Sequence, residues 1–411
     1  MRCFREPSVN VLMLTPMVPR ADAPSAGAIV MHGELMAVAA HHDVTLATLA
    51  TSADDSAIQT LRDSGLRVHA VPRRRDHGVG ALVRRGTLGI RWRFGHLPLR
   101  TLVFHERAMQ ATLDRLGGVP FDAVHIIDNA MAQYRRPRAR TTLLSEYEVR
   151  VDAEDGMVSA RAMRSARDRE AERQRWRRYQ SEVWSSVDRV QVFTDRDATT
   201  VRELAPQASG RVFINPFGVD LPASVGHEPL PGSLVFVGGF AHPPNVDAAV
   251  WLAETILPLV RARCPGARLT IVGADPPGAV QRLASTETVV TGRVDAVDPY
   301  IDSAEVVVAP LRSGGGMRLK VLQAMAREKP VVTTPRGAEG IWNPPGAPTL
   351  RVADDAEGIA AHIVQLLGSR EARCTLGARA RAAVAEHHTW EQFAERVDAL
   401  YASLPVTGAA A

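Results

Sequence analysis

Short apolar runs recur along the chain, each closed by a turn bearing glycine, proline or an acid and followed by a stretch with helical spacing. That alternation predicts βα units built around parallel sheets. Val9 to Thr15 opens the series, then a loop of proline and small residues from Pro16 to Gly27, a helix over Ile29 to Ala40 and a strand over Val44 to Leu49. Val68 to Val71, Ala123 to Ile127, Thr142 to Ser145, Val190 to Thr194 and Val212 to Asn215 read as further strands. Helical patterns cover Arg100 to Leu116, Glu154 to Ser185 and Asp197 to Leu204. From Leu221 to Gly232, proline and glycine without periodicity predict a linker.

The same grammar then restarts. Ser233 to Val237 is a strand ending in Gly238-Gly239-Phe240, and a helix opens at Pro244-Asn245 and runs to Ala262. Leu269 to Val272 and Thr288 to Thr291 are strands, the second followed by Gly292-Arg293. Val306 to Ala309 leads through Gly314-Gly315-Gly316 into a helix with Leu319, Leu322 and Met325 on one face, and Val331 to Val332 follows. Leu350 to Val352 reads as an edge strand, Ala356 to Leu367 as a helix, and Leu376 to Tyr401 as a last amphipathic helix interrupted near His387 and His388. Phe240, Trp251, Trp390 and Phe393 read as core residues, and Gly408 to Ala411 should fray. The whole predicts an α/β chain of two Rossmann-like domains. Residues 1–220 form the first, 221–385 the second, and 386–411 a terminal helix packing back on the first.

In such sheets ligands bind beyond the carboxyl ends of the strands. Consecutive glycines let a backbone approach a ligand closely, and a following helix aims its free N–H groups at the same place, which makes an anion seat. Arg318 and Lys320 lie in the first turn, where the helix dipole disfavours cations, so they are better placed as part of that anion site. Lys320 and Gln323 share a face. Two glycine turns in one domain, at Gly238-Gly239 and Gly314 to Gly316, suit a diphosphate.

Composition narrows the classes. Hydrophobic residues make up 45% and charged residues 23% of 411, ordinary for a soluble enzyme. Cys3, Cys264 and Cys374 have no paired spacing, which argues against disulfides or a zinc site and for a reducing compartment. The apolar run Val9 to Leu14 is too short for a membrane span or a signal peptide, so a cytoplasmic location is expected. Residues 1–220 hold 32 arginines against 26 acidic residues, with basic runs at Arg73 to Arg75, Arg84 to Arg85, Arg135 to Arg140 and Arg161 to Arg178. That excess leaves a peripheral contact at the inner membrane face open. The whole chain has 47 arginines to two lysines, a bias that dilutes any functional reading, and no aromatic-interleaved basic strand accompanies it, so nucleic acid is not expected as a partner. No Gly-x-Gly-x-x-Gly, Walker lysine or Gly-x-Ser-x-Gly pattern is present, and neither His41-His42 nor His387-His388 has further metal ligands at the right spacing. No metal and no cofactor are expected.

Leu234 to Phe240, Ile271-Val272-Gly273, Thr291 to Val294, Val308 to Leu311, Gly315 to Ala326 and Gly337 to Ile341 together resemble the donor-binding half of a GT-B glycosyltransferase of family 4. Pro216-Phe217-Gly218-Val219-Asp220 resembles the turn that precedes that half. The resemblance implies two Rossmann-like domains facing each other across a deep cleft (GT-B), and an enzyme moving a sugar from a nucleotide-diphosphate sugar to a glycan, lipid-linked or small-molecule acceptor held by the first domain, with retention and without metal. It departs from the family where a pair of glutamates eight positions apart is usual, since Gly315 and Gln323 stand there, and where basic residues usually follow the first donor-domain strand. Arg318 and Lys320 are expected to neutralise the leaving diphosphate instead, with Asn245 assisting. Gly238, Gly239, His242, Arg293, Gly314, Gly315, Gly316, Met317, Gln323, Glu339 and Gly340 complete the expected donor site. Asp128, as a catalytic orienting group, and Gly27, Asn129, Glu146 and Glu148 are expected on the acceptor side. A GT-B-fold sugar-nucleotide epimerase and a non-catalytic sugar-nucleotide-binding subunit remain as alternatives.

Overall fold

The computed structural model describes residues 8–23, 25–73, 79–149, 165–225 and 228–402. Residues 154–164 of the long polar helix, residues 408–411, Cys3, and Arg74, Arg75, Arg161 and Arg164 of the basic runs lie outside the described residues. The chain divides into two compact units, Met1–Asn215 with Phe393–Ala411, and Pro216–Gln392.

The first unit is built on seven parallel strands, β1 Asn10–Thr15, β2 Asp43–Ala50, β3 Arg67–Pro72, β4 Phe121–Ile127, β5 Ala139–Ser145, β6 Arg189–Val192 and β7 Val212–Ile214. They stand in the order β3-β2-β1-β4-β5-β6-β7. The second unit has six, β8 Ser233–Val237, β9 Arg268–Val272, β10 Thr288–Gly292, β11 Val306–Ala309, β12 Val331–Thr333 and β13 Arg351–Val352, in the order β10-β9-β8-β11-β12-β13. Central strands such as β1 and β11 are apolar without alternation because helices cover both faces of the sheet. Each order runs outward from its first strand and then reverses, so each unit has a switch point, between β1 and β4 and between β8 and β11. There the loops leaving adjacent strands part to opposite faces and open a crevice.

The helices Asp55–Asp63 and Val79–Phe94 were not read from the sequence, and three further differences have physical reasons. Arg100 to Leu116 is two helices, Leu99–Val103 and Arg107–Leu116. The Tyr134 hydroxyl bridges the break, accepting from the Glu106 amide at 2.8 Å and donating to the Phe104 carbonyl at 2.6 Å. The helix from Pro243 passes through a π segment, Leu252–Ile256, before Leu257–Arg263. Pro258 there has no N–H for the regular bond to the carbonyl four residues back, and the wider register takes up the strain. Finally, the units divide after Asn215 and after Gln392 rather than after 220 and 385. The helix Arg370–His387 stays with the second unit, and the residues from Phe393 within Trp390–Ala402 count with the first. No described helix is long and apolar enough to cross a membrane.

Candidate functional site

In the second unit, the loops after β8 and β11 flank the switch point. Gly273, after β9, has the Gly238 carbonyl so close that a Cβ would lie 1.9 Å from it, which fixes the path of the first glycine turn. Asn245, buried in the first turn of the helix Pro243–Trp251, donates from Nδ2 to the Gly239 carbonyl at 2.8 Å. Its Oδ1 accepts from Lys320 Nζ at 2.6 Å. The ammonium also sits 4.7 Å above the Phe236 ring. A Cβ on Gly238 would lie 2.9 Å from Asn245 Cγ and 3.0 Å from Lys320 Nζ, so the glycine leaves room for both side chains. Loss of hydration, and then the charge of Arg318, push the Lys320 pKa down to about 7.

The triple-glycine loop is shaped by Arg318. Its guanidinium donates to the carbonyls of Gly315 at 2.5 Å, Gly314 at 2.9 Å and Ser313 at 3.4 Å. A trans peptide holds its N–H opposite its carbonyl. Drawing three successive carbonyls towards Arg318 therefore turns the amides of Gly314, Gly315 and Gly316 the other way. Those amides and that of Met317 donate to no protein acceptor among the described residues. The path requires φ of +93° at Gly314 and +72° at Gly316, which side chains with a Cβ resist. A row of successive backbone amides without protein acceptors is a nest for an anion.

The remaining expected donor residues are distributed around this centre. His242 caps the helix at Pro243, and the Asn245 amide donates to its carbonyl at 3.0 Å. Gln323 is half-buried one turn beyond Lys320, and its side chain makes no hydrogen bond among the described residues. Glu339 is paired with Arg336 at 2.9 Å, and Gly340 has φ +74°. Their loop is tied to the end of β11 by Thr333 Oγ1, which donates to the Ala309 carbonyl at 2.7 Å, and by Thr334 Oγ1 on the Leu311 carbonyl. Arg293 is exposed just beyond β10, next to Gly292, whose carbonyl accepts from the Gly273 amide at 3.2 Å.

The first unit has its own polar centre at the β1/β4 switch point. Asp128, just past β4, takes φ +73°, and both its oxygens accept from the Arg100 guanidinium at 2.6 and 2.5 Å. Asp128 Oδ1 also accepts from the Ala130 amide at 2.9 Å. Asn129 Nδ2 donates to Glu146 Oε1 at 2.8 Å and Trp184 Nε1 to Glu146 Oε2 at 2.9 Å. Burial pushes the Glu146 pKa up to about 8 against those two hydrogen bonds. Glu148 follows half-buried, its amide 3.4 Å from Glu146 Oε1. Gly27 lies in the first turn of the helix Ala26–Ala39 with open space where a Cβ would be.

Two functional-looking groups went unread in the sequence, Glu34 and His125, both fully buried. Glu34 accepts from Ser145 Oγ and Tyr147 Oη, each at 2.6 Å, and lies 3.2 Å from His125 Nε2. Burial works to raise its pKa, but His125 and the two hydroxyls hold it below the usual carboxylate range. His125 Nδ1 meets the Tyr401 hydroxyl at 2.8 Å. These side chains face only protein, so they act as an internal polar tie. A histidine inside a strand and a glutamate inside an apolar helix were the available signal.

Residues 231–369 match the family model described as glycosyl transferases group 1. Among curated proteins, the uncharacterized 44.6 kDa protein in the cps region of Klebsiella pneumoniae is 27% identical over 141 residues, which cover 32% of this chain and 36% of that one. The match thus spans little more than a third of that relative's length. Sucrose-phosphate synthase from Thermosynechococcus elongatus superposes with a TM-score of 0.69 at 18% identity, over 97% of this chain and 100% of that one. S. aureus TarM, as a G117R mutant in complex with fondaparinux, alpha-GlcNAc-glycerol and UDP, gives 0.68 at 12%, over 96% and 100%. Anabaena HepE in complex with UDP and glucose gives 0.64 at 12%, again over 96% and 100%. At such identities the likeness establishes the fold, with a parallel sheet in each of two units.

Proposed function

We propose that this chain, which has the GT-B glycosyltransferase fold and a second unit of the glycosyl transferases group 1 type, moves a sugar from a nucleoside-diphosphate sugar to an acceptor hydroxyl. The observation that carries the reading is the row of amides from Gly314 to Met317 without protein acceptors, next to the Lys320 ammonium at Gly238. A diphosphate supplies the acceptors those groups lack. UDP in the Anabaena and S. aureus structures is in keeping with that assignment.

In the proposed reaction the acceptor oxygen forms a bond to the anomeric carbon as the bond from that carbon to the diphosphate oxygen breaks. The hydroxyl proton passes to the departing diphosphate, and the sugar keeps its configuration. Charge builds up on the diphosphate in the transition state, where fixed N–H dipoles and an ammonium lower the barrier without reorganising. Lys320 supplies the positive charge, so the scheme calls for no metal. Gln323, one turn further on, is assigned a ribose hydroxyl. The first unit, with the same switch-point topology, is assigned the acceptor.

Thermal unfolding against UDP, GDP, dTDP, CDP and ADP tests the seat without an acceptor. A ligand at a hundred times its dissociation constant adds about 2.7 kcal/mol to stability. We expect a rise in Tm with one of the five that Lys320→Met abolishes. No rise with any of them, or one that Lys320→Met leaves intact, would remove the basis for the assignment. The absence of carboxylates at Gly315 and Gln323 favours, as a second reading, a subunit that binds the donor without reacting. Single-turnover incubation separates the two, since only a transferase releases the sugar from its diphosphate.

A further inference from the structure

Between Asp76 and Glu106 the sequence has no acidic residue and five arginines, Arg84, Arg85, Arg91, Arg93 and Arg100. The helix Val79–Phe94 occupies the middle of that stretch. Near its end Ile90 is 62% and Phe94 84% exposed, the latter the most exposed large apolar side chain among the described residues. Four positions apart, the two share a face. Arg91 and Arg93 are exposed on either side of that face, and neither has an ion-pair partner among the described residues.

The direction of this face is fixed from behind. Trp92, about half a turn round from Ile90, donates from Nε1 to Glu172 Oε2 at 2.5 Å and lies under the Arg175 guanidinium at 4.6 Å. Glu172 Oε1 in turn accepts from the Leu99 amide at 2.9 Å. Rolling the helix to hide Phe94 would break both contacts of Trp92. The apolar pair is therefore held outward by design of its opposite face.

We propose that this helix face is a docking surface for an anionic lipid bilayer, with Phe94 and Ile90 entering the acyl boundary and Arg91 and Arg93 lying on headgroup phosphates. Charge complementarity selects that occupant. Aromatic and aliphatic side chains rimmed by arginines, with no carboxylate on the helix, match an interface that is apolar below and negative at its surface. A stable protein partner needs a contiguous patch of about 800 Å² per side, whereas here two protruding side chains stand between charges. The inference is independent of the reaction assigned above.

Co-sedimentation of the full chain with vesicles tests it. Vesicles of phosphatidylcholine and phosphatidylglycerol in equal parts are compared with phosphatidylcholine alone, at low and high salt. We expect binding to the anionic vesicles that falls at least roughly tenfold on pure phosphatidylcholine, in high salt, in Ile90→Ser/Phe94→Ser and in Arg91→Glu/Arg93→Glu. The side chains are exposed, so both double variants should keep the Tm of the parent and, if the chain is a transferase, its rate on a water-soluble acceptor. Failure of the parent to bind, equal binding to both vesicle types, or parent-like binding by both variants overturns the proposal. So does a change of oligomeric state in the Ile90→Ser/Phe94→Ser variant without lipid, which would make the face a contact between copies of the chain.

Discussion

Lys320 is held where its charge is least comfortable, beside Arg318, over a ring and short of water. Its pKa is about 7 in the folded protein against an ordinary 10.5. Between those two values the unfolded chain binds more protons than the folded one, so stability rises with pH across that window, by up to about 1.4 kcal/mol per unit. Lys320→Met should flatten that rise and leave the variant more stable than the parent at pH 7, while diphosphate binding is lost; Tm measured from pH 6 to 10 checks it. A variant less stable at every pH would make Lys320 a structural residue. Diphosphate binding should also draw a proton onto Lys320, so affinity in the parent should fall as pH rises above 7. Arg318 has a different task. It orders carbonyls and does not point its guanidinium into the seat, and a single ammonium cannot replace its fork. Arg318→Lys should therefore weaken diphosphate binding about tenfold or more, read by the same thermal shifts. The sequence singles out 318 and 320 together as an expected anion site, the expectation that the diphosphate measurements test. That one shapes the loop and the other reaches Gly238 was not legible there, because both facts depend on which way side chains turn after the chain has folded.

At the scale of elements, the strand, glycine-turn and helix succession was legible almost throughout, since apolar runs and turn residues are local signals. The π segment at Pro258 has a local cause, but other features rest on contacts distant in sequence. Tyr134 divides one helix from 30 residues away, and Asn245 ties two loops from 75 residues away, which no window of sequence contains. The helix Trp390–Ala402 is fastened in the same long-range manner. Asp398 meets His41 Nδ1 at 2.5 Å and His42 Nε2 at 2.9 Å, Tyr401 meets His125, and Arg396 Nε donates to Asn215 Oδ1 at 2.6 Å. Tyr401→Phe would leave a ring nitrogen of His125 buried without its partner. We expect a loss of about 1–3 kcal/mol, seen as a lower midpoint in denaturant with an unchanged slope. Asp398→Ala, nearer the surface, should lose less.

For the whole molecule, the two units have different kinds of integrity. Pro216–Gln392 is one continuous stretch, whereas the first unit needs both Met1–Asn215 and the residues from Phe393. A fragment of residues 216–392 should unfold cooperatively and retain a thermal response to the diphosphate that stabilises the full chain. A fragment ending at residue 215 should be aggregation-prone, because it lacks Phe393, Val397 and Tyr401, all buried in the full chain. Loss of the response in residues 216–392 would mean that the seat is completed elsewhere. The split was only partly legible, for the linker was read from composition at 221–232, while the division after Asn215 is set by packing.

The return of the chain to its first unit also orders the protein's birth. A ribosome makes β1 to β7 first and then the entire second unit before it makes the residues that His42 and His125 await. The nascent first unit therefore emerges with a helix-sized apolar face uncovered and stays so through about 177 further residues of synthesis. During that interval the second unit can reach its native state while the first cannot, so the part of the chain translated earliest is the last to mature and the one most in need of a chaperone.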